Sequence, residues 1–130
     1  MPKWEEMSVG RKIAESAIVP IAWGILCGLA LGLAAPLYLF GGLAAAAGGV
    51  AGGAQHRTLR SALVRGVAGG TLFGLSTLLG FEIGGAWEPT VHIPDPALLL
   101  LVFTVVPSIP LHWLGWRLRA RSLAAQERTP

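Results

Sequence analysis

The chain has 130 residues, of which 53% are apolar and only 13% charged, with a formal net charge of +3. A mean hydropathy of +0.61 and a pI near 9.8 displace it from soluble globular domains toward the membrane class. Four apolar stretches of about 20 residues, each able at ~1.5 Å per residue to cross a ~30 Å hydrocarbon layer, consume nearly the whole length and exclude a separate soluble catalytic domain.

Residues 1–12 read as a short polar lead carrying Trp4 and Met7, a turn or helix lying on the inner membrane surface. The first span is placed at 13–34, with Pro20 as a kink site because its ring displaces the carbonyl one turn earlier. A cleaved secretory signal is the competing reading. The run from Ile13 to Ala35 is too long for it, since signal cores are about 7–15 residues, and Pro36 would be an awkward first mature residue. Pro36 marks a very short turn, which forces an antiparallel hairpin with the second span at 37–54. A polar, basic loop at 55–60 leads into the third span at 61–83.

The stretch 84–96 holds Glu88, His92, Asp95 and the prolines Pro89, Pro94 and Pro96, and reads as an ordered outer loop with Trp87 at headgroup level. The fourth span, 97–116, contains Pro107 and Pro110, which predict a kink or an unwound turn, and ends on Trp113 and Trp116. In the basic tail, 117–130, Arg117, Arg119 and Arg121 are placed against lipid headgroups.

Charge placement fixes orientation. All ten Lys and Arg residues fall before the first span, around the middle loop or after the fourth span. Because basic loops resist crossing the membrane during insertion, both termini are expected in the cytoplasm, in a multi-pass protein of the cell (inner) membrane. These residues bracket apolar spans and are not interleaved with aromatic base-stacking platforms, so nucleic acid is not an expected partner. The single cysteine, Cys27, lies inside the first span and reads as a small hydrophobe. No catalytic, metal or cofactor motif stands out, and His56 and His92 sit in opposite loops.

Glycine spacing is the most informative internal pattern. Gly24, Gly28 and Gly32 in the first span and Gly66, Gly70 and Gly74 in the third form four-residue ladders, each a groove without side chains on one helix face. The second span adds Gly48, Gly49, Gly52 and Gly53 after a run of alanines. So little bulk implies that it is central, with spans one and three pressed against it. Small-residue faces pack helices within one subunit or between subunits, so the expected partners are the bilayer and either copies of the chain or other membrane subunits.

Ionisable residues inside a bilayer are default functional candidates. Glu15, Arg65 and His112 lie about one turn inside the cytoplasmic boundary and Glu82 near the outer one. Arg65 is expected to snorkel toward headgroups or to pair with Glu15. Ser76 and Thr77, beside Gly74, are the best mid-membrane pore or substrate contacts.

The segment Gly66, Gly69, Gly70, Thr71, Phe73, Ser76 and Thr77 is similar to the third span of the small four-span fluoride channels, and the overall length also fits. That family's second-span asparagine motif and first-span arginine have no counterpart, since 41–53 contain no Asn and 13–35 no Arg. Glu15 resembles the first-span glutamate of small multidrug transporters in position alone. The expected fold is therefore an all-α four-helix transmembrane bundle packed through glycine ladders. The expected function is that of a non-enzymatic oligomerising or accessory membrane subunit, with a small oligomeric channel or transporter as the alternative.

Overall fold

The computed structural model describes residues 3–85 and 92–126. Trp87, Glu88, Pro89 and Arg128 lie outside them. A single turn of 3-10 helix, Trp4–Glu6, precedes four helices: α1 Val9–Leu33, α2 Ala35–Gly53, α3 Leu59–Gly84 and α4 Leu99–Gln126. All four are long and apolar enough to cross a membrane, and no strand occurs among the described residues.

Local chemistry sets the helix limits. Ser8 and Thr58 start α1 and α3 by accepting from the backbone N–H of Arg11 and Ser61, three residues on. Ala34, in extended conformation, separates α1 from α2, and Pro36 sits in the first turn of α2, where its missing N–H costs nothing. α3 stops at Gly85, whose φ of 66° suits glycine. α4 departs most from the sequence reading. α4 continues without an unwound turn through Pro107 and Pro110, and it extends ten residues past Trp116 to Gln126, carrying Arg117, Arg119 and Arg121 on helix.

Pro20 does leave its mark. The turn Ala14–Ile18 is widened to a π-helix, in which the Val19 N–H bonds to Ala14 O. In that register the carbonyl of Glu15 faces the nitrogen of Pro20, which has no hydrogen to give.

The helices pack as a ring in the order α1, α2, α4, α3. α2 is not central; α3 is, lying along both α1 and α4, while α2 buries only Gly52 and Gly53. Nor do the two ladders press on α2. A methyl group at Gly24 would come within 2.6 Å of the Phe73 carbonyl oxygen on α3, and one at Gly28 within 2.7 Å of the Phe81 nitrogen. Gly70 faces α4 instead, with Ser108 Cβ and the Thr104 carbonyl oxygen each 3.0 Å from an added Cβ. α2 meets α4 where Gly53 lies against His112 and Gly115 against Val50, and it meets α1 where the Trp23 indole donates to the Gly41 carbonyl at 3.0 Å. Gly48, expected as a packing residue, has nothing within 4 Å of its Cβ position. The abundance of small residues on α2 left space instead of making contact.

Candidate functional site

A half-open cavity of about 480 Å³ is bordered by all four helices. That volume lies within the roughly 300–1,000 Å³ of small-molecule pockets. From Arg65 to Phe73, eight residues along α3, it extends about 12 Å. Trp23, Tyr38, Phe73 and Phe103 line it toward one end of the bundle, and Glu15, Arg65, Ser108 and His112 toward the other.

Glu15, Arg65 and His112 are thus brought to one place from three helices. Glu15 Oε1 accepts from Arg11 Nε at 2.7 Å and Oε2 from Gln55 Nε2 at 2.8 Å, so both carboxylate oxygens are occupied. Arg65 does not pair with that carboxylate. Its Nη2 donates at 2.9 Å to the Glu15 backbone carbonyl, the same oxygen that Pro20 leaves without a helical partner. The Trp4 ring covers the guanidinium, its centroid 4.5 Å from Arg65 Cζ, and Nη1 is buried with no hydrogen-bond partner. His112 donates from Nδ1 to the Ser108 carbonyl at 2.9 Å, which leaves Nε2 as the ring's acceptor. Arg65 Nε and His112 Nε2 both lie 3.3 Å from the Cβ position of Gly52. A methyl group there would press on both.

Beneath this end lies a floor made by the N-terminal segment and the α2–α3 loop. The Trp4 N–H donates to Gln55 O at 3.0 Å, Met7 is buried, and Arg57 pairs with Glu5 at 3.4 Å. His56, 3% exposed, packs its ring 5.1 Å from that of Trp4 and shares a 2.6 Å hydrogen bond with Ser61 Oγ. Burial, reinforced by the nearby positive charge of Arg65, lowers its pKa from 6.5 to about 4, so it is neutral at pH 7. Its Nε2 and Gln55 Oε1 are buried without partners.

Other candidates fall elsewhere. Ser76 and Thr77 are buried between α1 and α3 and do not border the cavity; Thr77 donates back to Phe73 O at 2.8 Å. Glu82 is exposed near the far end of α3. Of the tail arginines, Arg119 donates to the Ala54 carbonyl at 2.6 Å and so caps the C-terminus of α2. Arg117 lies over the Trp113 ring at 4.9 Å. Among the described residues, no three His, Cys, Asp or Glu side chains come together as metal ligands.

Sequence reasoning missed the cavity and the floor. The off-ladder glycines Gly42 and Gly69 border the cavity, and the aromatic Trp4 in a polar lead marks the floor. Compared with known proteins, the chain shows no significant match to a protein-family model, a curated protein or a solved structure.

Proposed function

We propose that the chain is a small, non-enzymatic membrane channel or transporter whose solute enters the cavity at the centre of the ring. Both termini and the α2–α3 loop lie on the cytoplasmic face, the end that carries the basic residues. In this reading the glycines serve two purposes. Those at the corners of the ring let neighbouring backbones close on one another by van der Waals contact, the main attraction between helices in lipid. The others keep the middle empty.

One observation carries the reading. Apart from Gly10 and Gly85, at helix ends, the glycines with nothing within 4 Å of their Cβ positions are Gly42, Gly48 and Gly69, and all three border the cavity. Glycine lowers helix stability by about 1 kcal/mol relative to alanine, so a glycine that touches nothing is tolerated at a cost. Holding volume open for a solute is a benefit that offsets it. Glu15 is not read as a catalytic group, because Arg11 and Gln55 occupy both of its oxygens.

The test is solute-induced swelling of liposomes holding purified protein, across small anions, cations and neutral solutes. At least one solute should permeate faster than in protein-free vesicles, and Gly48→Leu or Gly69→Leu should abolish that permeation. Permeation insensitive to both substitutions, or none for any solute, overturns the reading.

A second reading, association with copies of the chain or with another membrane subunit, is favoured by the outer face of α2. There Phe40 and Leu43 are 72% and 69% exposed and Ala47 is exposed beside them. In mild detergent the native mass would then exceed that of one chain, and Ala47→Trp would lower it.

A further inference from the structure

Taken as a solute site, the cavity has a chemical polarity that specifies its occupant. Arg65 lies in the second turn of a membrane-spanning helix, yet among the described residues it has no carboxylate within ion-pair distance. The one acidic side chain bordering the cavity, Glu15, is turned to Arg11 and Gln55. Of the two charged side chains that border the cavity, Glu15 is therefore paired and Arg65 is not. An uncompensated charge inside the hydrocarbon layer is costly, and Trp4 lies over the guanidinium. Arg65 Nη1 is buried without a partner, while Nη2 is fixed on the Glu15 carbonyl. The guanidinium is thereby held in place at the border of the cavity, its charge unmatched by a carboxylate within ion-pair distance.

Charge and shape change together along the cavity. Away from Arg65 its walls are Trp23, Tyr38, Phe73 and Phe103, with the small residues of α2 between them. Such walls, with only the Tyr38 and Thr104 hydroxyls among them, provide too few polar groups to replace the hydration shell of a bare ion, but they suit an alkyl or aryl tail. We propose that the cavity binds an amphiphile with one acidic head, a carboxylate or phosphate monoester. The head pairs with the Arg65 guanidinium, and the tail lies toward Phe73 and Phe103. The proposal rests on the cavity being a solute site and adds the class of solute.

The probes are dodecanoate, dodecyl phosphate, dodecanol, dodecyltrimethylammonium and inorganic phosphate, added to the full-length protein in nonionic detergent, with binding read by native mass spectrometry. The two alkyl acids should bind at least tenfold more tightly than dodecanol or the ammonium compound. Arg65→Gln should erase that preference, Arg65→Lys should keep part of it, and Gly69→Leu should reduce binding of every alkyl probe. Ammonium or alcohol binding as tight as that of the acids overturns the acidic-head assignment and leaves the solute site standing. Inorganic phosphate binding as tightly as dodecyl phosphate overturns the amphiphile and assigns a free anion. No alkyl probe binding at all overturns the amphiphile, and the solute site is then decided by the liposome swelling alone. Should Arg65→Gln fail to fold, the head-group series on the unaltered protein decides alone.

Discussion

A matched pair of glycine-to-alanine substitutions separates glycines that close the ring from those that hold it open. At Gly28, an added methyl would overlap the Thr77 carbonyl oxygen and lie 2.7 Å from the Phe81 nitrogen and 2.9 Å from Gly80 Cα, all backbone atoms that cannot rotate away. Restoring ordinary contact of ~3.5 Å requires α1 and α3 to part by at least about 0.8 Å, a gap that forfeits roughly a quarter to a half of the dispersion attraction along the pair. Overpacking of this kind costs about 1–3 kcal/mol. At Gly48 nothing lies within 4 Å, so alanine adds helix propensity without a clash and stabilises by about 0.5–1 kcal/mol. The propensity gain is common to both sites, so the difference between Gly28→Ala and Gly48→Ala isolates the clash at about 1–3 kcal/mol. Reversible unfolding in mixed micelles with increasing SDS measures it. Equal stability of the two variants, or Gly48→Ala as the weaker, would refute the assignment of close approach to one glycine and open space to the other.

The bulkier substitution Gly70→Leu should unfold the bundle, because its Cβ position is already 3.0 Å from the Thr104 carbonyl oxygen and from Val105 Cα, while Leu99→Ala, at a site 41% exposed, should be tolerated; thermal melts in detergent compare the two. His56 should make the protein acid-sensitive. Its folded-state pKa of about 4 lies below the ordinary 6.5, so between these values the unfolded chain holds a proton that the native state does not. Stability should therefore fall as pH drops from 6.5 to 4, by about 3 kcal/mol in all. His56→Gln should flatten the unfolding profile across that window, and an unchanged slope would assign the effect to another group. For topology, cysteine at Asp95 should react with an impermeant maleimide added outside cells and cysteine at Arg60 only after permeabilisation. Native Cys27, 2% exposed, should react in neither case.

Span lengths and the partition of basic residues are legible in the sequence because both are one-dimensional properties of a chain in a bilayer. Helix pairing is not. A four-residue glycine spacing says which residues share a face, but three of the four helices present such faces, and complementary relief selects the partner. Gly24 and Gly28 fit the backbone ridge from Phe73 to Phe81, whereas α2, with alanines from 44 to 47, has no relief to offer and ends up at the side. The meeting of Glu15 and Arg65 is legible from their matching depth. The form of the contact is not, because it depends on a carbonyl freed by a proline five residues away, through a helix widened by one residue. The cavity is the least legible feature, since an absent side chain reads the same in sequence whether a neighbour or empty space fills the gap.

Docking of the N-terminal segment and burial of Arg65 form one structural event. The first residues carry little apolar bulk besides Trp4, Met7 and Val9, and Val9 is 72% exposed, so Trp4 and Met7 are what the segment contributes to burial. Trp4 in turn supplies the π face that covers a guanidinium with no carboxylate, an interaction of about 0.5–2 kcal/mol depending on desolvation. Each group therefore lowers the cost of burying the other. Removing the cation by Arg65→Gln should undock the segment without touching it, and the Trp4 amide, bonded to Gln55 O at 3.0 Å, should lose its protection in hydrogen exchange. Trp4→Phe, which keeps an aromatic face, should retain more protection of the neighbouring Met7 amide than Trp4→Ala. Unchanged protection at Trp4 in Arg65→Gln would mean that the segment is held by Met7, the Trp4–His56 ring contact and the Glu5–Arg57 pair, with Arg65 a bystander beneath the ring.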